Sequence, residues 1–146
     1  MILNDEQRDR ARGALVGLAV GDALGAGLEF GPVIPYPAQI TMTGGGMFGW
    51  APGEWTDDTS MSIIIAQVAR DAFGLEHGLD LVANGFTEWA ATAKDVGSQI
   101  REVIGATRFK GTGAKSMSAA AADLTKRDPD RAGNGSLMRT APVALT

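Results

Sequence analysis

The sequence predicts an all-α protein, and three observations favour this fold class. Apolar residues recur every three or four positions along most of the chain, which is the spacing of one helix face. No segment alternates apolar and polar residues as a half-buried strand would. Glycine and proline concentrate in one internal stretch, 31–55. With 146 residues, 45% of them hydrophobic, the chain has the size and the apolar content of a single domain.

The first predicted helix begins after Asn4 and runs toward Ala23. Asn4 and Gln7 have the spacing of a capping box, which satisfies free amides at a helix start. Asp22 follows Leu18 by four residues, so its carboxylate falls on or near the apolar face, where it needs a partner. Glycine recurs at every fourth position, and because each glycine costs ~1 kcal/mol in a helix, we expect a second backbone to pack closely against Gly13, Gly17, Gly21 and Gly25.

A long loop is predicted over 31–55, where glycine and proline interrupt any helical pattern. Loops of that length are uncommon in compact domains and are often functional. Helical spacing returns after the loop in a series of segments, the last of which Pro142 would kink or interrupt. These segments are 61–72, 79–93, 96–109, 116–125 and 137–145.

Composition and charge exclude several classes of function. A formal net charge of -4 and a pI near 4.9 argue against a broad nucleic-acid surface. The chain has no cysteine, which excludes disulfides and thiolate metal sites and fits a cytoplasmic protein. The apolar run 14–20 is too short to cross a bilayer and lacks an export-signal pattern. We therefore expect a cytoplasmic protein that makes no contact with membranes.

Thr56, Asp57 and Asp58 end the long loop and open the next helix. One interpretation is helix capping, since threonine and aspartate satisfy free amides there and complement the helix dipole. The other is metal binding. Adjacent carboxylates repel each other, and neighbouring helical residues point about 100° apart, so each would reach a different ion of a close pair. Magnesium prefers such oxygen ligands. Taken alone, this motif favours capping.

Two further segments carry polar residues among small ones. Asn134 and Ser136 lie beside glycines at the predicted start of a helix, where exposed amides suit a phosphate; an ordinary cap is the alternative. Glu29 follows the glycine-rich first helix and is a candidate general base, although a lone glutamate is more often a surface residue. Asp22, in the same segment, is a candidate for bracing the helix.

Together these segments resemble the motifs of the ADP-ribosylglycohydrolase family, both in their amino acids and in their order along the chain. The stretch 12–25, RGALVGLAVGDALG, is similar to the family's first helix, and 55–59, WTDDT, to its first metal motif. The stretch 133–139, GNGSLMR, is similar to its glycine-rich substrate loop, and 94–97, KDVG, to an intermediate motif. The resemblance covers nearly the whole chain and implies an all-α orthogonal helical bundle.

The resemblance also implies a role for each matching residue. Thr56, Asp57 and Asp58 would be ligands of a dinuclear magnesium or manganese centre. Glu29 would position or activate water at the scissile bond, and Asp95 would face the substrate ribose or that water. The substrate loop would lie against ADP-ribose, at its diphosphate, through Gly133, Asn134, Gly135 and Ser136. The implied enzyme is a hydrolase that removes ADP-ribose from a modified protein or from a small conjugate, with carboxylates stabilising an oxocarbenium-like transition state.

The chain departs from the family pattern at its C-terminal side. The family's second metal motif, Asp-x-Asp followed by Thr or Ser, falls beyond the position that corresponds to Thr146. The Asp-x-Asp at 128–130 precedes Arg131 and is interpreted as a helix end. We therefore predict that 1–146 is the N-terminal part of one domain, a bundle incomplete at its C-terminal side. A complementary C-terminal chain or self-association would complete a site that the chain alone holds in part.

Two other functions fit the same residues. A non-catalytic ADP-ribose-binding or nucleotide-binding module would keep the loop 133–136 without turnover. A helical scaffold, like that of crystallin-like relatives of the family, would reuse the bundle alone. Magnesium or manganese binding separates the hydrolase from both.

Overall fold

The computed structural model describes residues 4–35, 39–71, 75–108, 111, 113–131 and 133–145, and for 75–77 the backbone alone. It confirms the all-α class, because the described residues form five α-helices, two 3₁₀ turns and no strand. The helices are α1 (Asp5–Gly25), α2 (Asp57–Asp71), α3 (Leu75–Ala90), α4 (Ser98–Thr107) and α5 (Ala114–Arg127). The 3₁₀ turns are Asn134–Ser136 and Val143–Leu145. The chain divides into two compact units, Met1–Thr59 and Ser60–Thr146.

The start of α1 is the predicted capping box. The Asn4 side chain accepts a hydrogen bond from the Gln7 amide at 2.8 Å, and the Gln7 side chain accepts one from the Asn4 amide at 3.0 Å. The prediction for the glycines of this helix is wrong within the described part of the chain. A Cβ atom would meet nothing within 4 Å at any of the four positions, Gly13, Gly17, Gly21 and Gly25.

The long loop is present between α1 and α2, and part of it folds back on itself. Gly45 and Trp50 exchange two backbone hydrogen bonds, of 2.7 and 2.8 Å, and Trp50 is buried. The loop also approaches the residues just after α1. A Cβ on Gly27 would overlap the carbonyl group of Gly44, and one on Gly46 would lie 2.9 Å from the Gly27 oxygen. The close backbone contact expected along α1 therefore occurs beyond its end.

The core of the second unit is small and apolar. Met61, Ile65 and Phe86 are buried together and join α2 to α3. Gly85 allows this approach, because a Cβ there would lie 2.7 Å from Cγ2 of Ile64. Partly buried side chains pack around the cluster, namely Ile64, Val82, Trp89, Ile100 and Met138.

Helix α5 packs against α3 and α4, and a carboxylate of α3 holds its start. Oδ1 of Asp80 accepts a hydrogen bond from the amide of Ala114 at 2.7 Å. The first amides of a helix have no partner within the helix, so Asp80 supplies a cap from 34 positions earlier in the sequence.

The later helices match the predicted segments with shifted ends, except the sixth. The predicted ends at 72 and 109 lie outside the described residues. The predicted helix 137–145 is wrong: this stretch forms turns, with backbone bonds from Thr140 to Leu137 and from Val143 to Thr140. Pro142 has no amide hydrogen and disfavours the helical conformation of the residue before it. None of the described helices has the length and apolar content that a membrane crossing requires.

Candidate functional site

Thr56, Asp57 and Asp58 lie where the loop of the first unit becomes α2, as the sequence predicts. Helix α2 begins at Asp57, and Thr56 and Asp57 are buried while Asp58 is half-buried. Oγ1 of Thr56 donates a hydrogen bond to Oδ2 of Asp58 at 3.3 Å and accepts one from the Asp58 amide at 3.4 Å. One hydroxyl and one carboxylate oxygen of the motif therefore face each other.

Asp22 of α1 holds this turn from 34 residues away in the sequence. The amide of Thr56 donates to both carboxylate oxygens of Asp22, each at 3.0 Å, and the amide of Thr59 donates to Oδ2 at 3.0 Å. Asp22 thus caps α2 from outside the local sequence, alongside the Thr56 hydroxyl, by accepting from first amides that have no helical partner. This contact is also the partner that a carboxylate on the apolar face of α1 requires.

Negative charge accumulates at the start of α2. Burial raises the pKa of Asp58 from 3.8 to about 6, and the charges of Asp22 and Asp57 add to the shift, while the hydrogen bond from Thr56 opposes it. The charges of Asp22 and Asp57 thus make ionisation of Asp58 costlier. A cation bound beside them would reverse that effect.

The donor set at this turn fits a hard divalent cation in its chemistry. Carboxylate and hydroxyl oxygens are the ligands that magnesium and manganese prefer. Among the residues that the structure describes, no group of three or more His, Cys, Asp or Glu side chains is arranged to hold an ion. Thr56 and its two neighbours therefore supply suitable donors, as one part of a coordination sphere.

Glu29 lies in the same unit, on an exposed turn that follows α1. The next residue, Phe30, has a φ of 61°, a left-handed conformation that is costly for a residue with a side chain. The Phe30 ring meets Phe48 edge-on at 6.4 Å between centroids, and Phe48 lies 5.8 Å from Trp50. Phe30 thus combines a left-handed backbone with an aromatic contact next to Glu29.

Asp95 and the predicted substrate loop belong to the second unit. Asp95 is half-buried and precedes α4, which begins at Ser98. Residues 134–136 form a 3₁₀ turn of three residues. The prediction that Asn134 and Ser136 open a longer helix is therefore wrong, and with it the support that a helix dipole would give a phosphate, because the dipole needs several aligned turns.

A cavity of about 450 Å³ adjoins this loop within the second unit. Gly133, Gly135 and Ser136 form part of its wall, with Gln99 and Ile100 of α4 beside them. Asn134 is exposed and is not among the residues that line it. The rest of the wall is mainly apolar and comes from α3, α4 and α5, with Arg131 and Arg139 from the segments that flank the loop. The structure thus brings three of the four predicted loop residues to one concave surface.

The sequence predicted that Asp22 needs a partner and braces a helix, but not that it caps α2 from a distance, and it missed Arg139 as a cavity residue. The Arg139 guanidinium lies over the Phe86 ring, and Nη1 donates to the Met61 sulfur at 3.6 Å. The available signal was position: Arg139 ends the glycine-rich motif, and Asp22 sits on an apolar helix face. The partners of both are too distant in sequence to be read from spacing.

The Asp-x-Asp at 128–130 is a helix end, as predicted. Helix α5 ends at Arg127, and Asp128 is its C-terminal capping residue. The Asp128 carboxylate lies 3.5 Å from Nε of Arg131, whose Nη1 lies 2.7 Å from Glu102. Asp128 and Asp130 are exposed. In this they differ from the carboxylates at the start of α2, which are buried or half-buried.

Comparison with known proteins gives one consistent result. The family model for ADP-ribosylglycohydrolases matches residues 3–146. The chain is 36% identical to an ADP-ribosylarginine hydrolase of Pseudomonas putida over 97% of its own length and 37% of the relative's. It is 38% identical to the ADP-ribosyl-(dinitrogen reductase) glycohydrolase of Rhodospirillum rubrum, over 94% of this chain and 44% of that one.

A solved structure described as an ADP-ribosylglycohydrolase-related protein complex has the same fold. It superposes with a TM-score of 0.65 at 36% identity, over 94% of this chain and 42% of that chain. The chain therefore spans about two fifths of the length of these relatives. The family match over nearly every residue, the identities above 30% and the shared fold show that the chain belongs to the ADP-ribosylglycohydrolase family.

Proposed function

We propose that this chain is part of a metal-dependent hydrolase that removes ADP-ribose from a modified acceptor by cleaving the glycosidic bond at the anomeric ribose carbon. The observation that carries the proposal is the acidic cluster at the start of α2, Asp22, Asp57 and Asp58, with the Thr56 hydroxyl beside it. Burial and like charge make this cluster costly in the absence of a cation. The family to which the chain belongs is typically metal-dependent.

In this proposal Thr56, Asp57 and Asp58 hold magnesium or manganese in a dinuclear centre. When bound, the ions would neutralise the local carboxylate charge and orient the ribose hydroxyls. The burial of Thr56 and Asp57 supports this role, because partly desolvated oxygen donors attract a cation more strongly than exposed ones do.

The remaining residues would handle the proton and the developing positive charge. Glu29 would accept a proton from the attacking water as the water oxygen bonds to the anomeric carbon. The bond from that carbon to the acceptor breaks, and the acceptor leaves with the bonding electrons and takes up a proton. Asp95 would stabilise the positive charge that develops on the ribose in the transition state or orient the water.

The substrate class follows from the relatives. The matched proteins are named for action on ADP-ribosylarginine and on ADP-ribosylated dinitrogen reductase. We propose an ADP-ribosylated protein, or a small ADP-ribose conjugate, as the substrate, with arginine as the acceptor. Gly133, Asn134, Gly135 and Ser136 would lie against the ADP-ribose diphosphate. Residues 1–146 would form the N-terminal part of one domain, whose site a C-terminal segment or a second chain completes.

The cavity beside the loop favours a second candidate function, a non-catalytic ADP-ribose-binding or nucleotide-binding module. Its volume of about 450 Å³ lies within the range of sites that hold small molecules, on the order of 300–1,000 Å³. Such a module would bind ADP-ribose through the second unit and would require neither Asp57 nor Asp58.

Manganese titration tests the hydrolase proposal. Electron paramagnetic resonance of free Mn²⁺ would follow uptake by the unmodified chain, by the double variant Asp57→Asn/Asp58→Asn, and by a matched control, Asp128→Asn/Asp130→Asn. The control also replaces two aspartates that are close together in the sequence, but these are exposed and lie at the end of α5. With the complementary C-terminal segment supplied to each, we expect uptake by the unmodified chain and by the control, and loss of uptake in the first double variant.

Release of ADP-ribose from an ADP-ribosylated arginine peptide, measured by chromatography, separates the two candidate functions. Turnover that requires Mn²⁺ and disappears with Asp57→Asn/Asp58→Asn supports the hydrolase. Calorimetric binding of ADP-ribose with neither Mn²⁺ uptake nor turnover selects the binding module. Equal Mn²⁺ uptake by both double variants contradicts the metal assignment.

A further inference from the structure

Asp22 touches both ends of the short segment that carries the proposed metal ligands. Its carboxylate accepts hydrogen bonds from the amide of Thr56, just before α2, and from the amide of Thr59, in the first turn of α2. All three distances are 3.0 Å. The two proposed carboxylate ligands, Asp57 and Asp58, lie between these two contacts.

We propose that Asp22 is a positioning residue for the metal site: by accepting both amides, it fixes the turn that holds Thr56, Asp57 and Asp58 in one arrangement. This inference rests on the proposed function, since it concerns the same site. Asp22 is not assigned as a ligand. It acts through the backbone of the residues that would be ligands.

The loop before the turn explains why such an anchor is needed. Thr56 follows a stretch rich in glycine, in which Gly49 and Gly53 have φ values of 62° and 81°. Glycine allows a backbone many alternative conformations, and before α2 the local restraint comes from two hydrogen bonds between Ala51 and Glu54. The Thr56 hydroxyl accepts from the Asp58 amide at 3.4 Å, and 51–55, which reads APGEW, adds no further Ser, Thr, Asp or Asn side chain. An acceptor from α1 therefore supplies a further restraint.

The two oxygens of Asp22 do not contribute equally. Oδ2 accepts from both Thr56 and Thr59, whereas Oδ1 accepts from Thr56 alone. An asparagine at 22 would keep one acceptor oxygen, able to bond the Thr59 amide, and would lose part of the Thr56 contact. Alanine would lose all of it. Both substitutions therefore remove the charge, but asparagine keeps part of the hydrogen bonding to the turn and alanine keeps none.

Asp80 offers a matched control in the other unit. It also caps a helix from afar, accepting from the Ala114 amide at the start of α5, and it is also separated from its partner by 34 residues. Neither Asp80 nor Ala114 belongs to the proposed metal motif. A purely structural role for Asp22 predicts that Asp22→Ala and Asp80→Ala have similar consequences.

The test measures the Mn²⁺ dissociation constant of the full chain and of Asp22→Ala, Asp22→Asn and Asp80→Ala, with circular dichroism to check helix content. Outer-shell partners of metal ligands typically contribute about 10-fold to 100-fold in affinity. We expect Asp22→Ala to weaken Mn²⁺ binding by about tenfold or more. Asp22→Asn should weaken it by a smaller factor, about threefold, and Asp80→Ala should leave it unchanged.

The outcomes separate the two proposals. Failure of the unmodified chain to take up Mn²⁺ when the complementary C-terminal segment is also supplied rejects the proposed function together with this inference. Uptake by the unmodified chain with the same affinity in Asp22→Ala rejects the positioning role alone. Equal weakening by Asp22→Ala and Asp80→Ala also overturns it, because the effect would then reflect general loss of a cap. If Asp22→Ala does not fold, unchanged affinity in Asp22→Asn overturns the inference.

Discussion

The guanidinium group of Arg139 lies over the face of the Phe86 ring, with its central carbon 5.1 Å from the ring centroid. The pair joins the end of the glycine-rich motif to the apolar cluster of the second unit, since Phe86 packs with Met61 and Ile65. Nη1 of Arg139 also donates to the Met61 sulfur at 3.6 Å. One charged side chain thus connects the loop 133–136 with the core beneath the cavity.

Arg139→Lys should destabilise the protein although it keeps the charge. A planar guanidinium stacks on an aromatic face, and an ammonium group does so less well. We expect the free energy of unfolding in urea to fall by about 1 kcal/mol. The matched control is Arg8→Lys, because Arg8 is exposed on α1 and pairs with Asp5 at 3.6 Å. The same loss in both variants would show that stacking on Phe86 contributes nothing.

Two glycine-to-alanine substitutions should change stability in opposite directions. Gly17→Ala places a methyl group in open space within α1, so we expect it to raise the free energy of unfolding by about 0.5–1 kcal/mol. Gly27→Ala would drive its Cβ into the carbonyl group of Gly44, which is backbone and has little room to move. We expect a loss of about 1–3 kcal/mol there. Thermal melts followed by circular dichroism measure both, and stabilisation by Gly27→Ala would refute the close contact.

Asp58 should make stability depend on pH. Its folded-state pKa of about 6 lies above the ordinary value of 3.8, so the folded protein holds this proton more tightly than the unfolded chain does. The contribution of Asp58 to stability is therefore greatest below about pH 4 and is lost as the pH rises through about 6. Burial is the main cause, followed by the charges of Asp22 and Asp57.

Asp58→Asn removes this titration. In chelator-treated protein at about pH 7 we expect the substitution to raise the free energy of unfolding by about 1 kcal/mol, a value reduced for solvent screening because Asp58 is only half-buried. At about pH 3.5 the two proteins should differ little, since Asp58 is then protonated in the folded state and mostly protonated in the unfolded state. A stabilisation of equal size at both pH values would show that Asp58 is not the titrating group.

Phe30 should tolerate glycine better than alanine. At a φ of 61° a side chain costs about 1–2 kcal/mol, which glycine avoids, and both substitutions lose the edge-on contact with Phe48. We expect Phe30→Gly to be more stable than Phe30→Ala by about 1 kcal/mol in urea denaturation. At Phe48, whose φ is not positive, the order should reverse. Alanine being preferred at both positions would argue against strain beside Glu29.

Short-range chemistry made much of this protein predictable from its sequence. The capping box of Asn4 and Gln7 involves residues three positions apart, and the start of α2 at Thr56 and Asp57 follows a change from glycine-rich loop to helical spacing. The interpretation of 128–130 as a helix end needed only the local sequence. The sixth predicted helix failed because Pro142, which was expected to kink or interrupt it, outweighed the apolar spacing over 137–145.

The sequence by itself determined the all-α class, most helix positions and the family, since these depend on the order of residues along the chain. Only the tertiary structure decided what Asp22 and Arg139 contact and where a backbone comes close to a glycine, which is at Gly27 and not along α1. The physical reason is distance along the chain. Bonds over three or four residues follow from local geometry, whereas a separation of 34 positions, as from Asp22 to Thr56, can be closed only by packing.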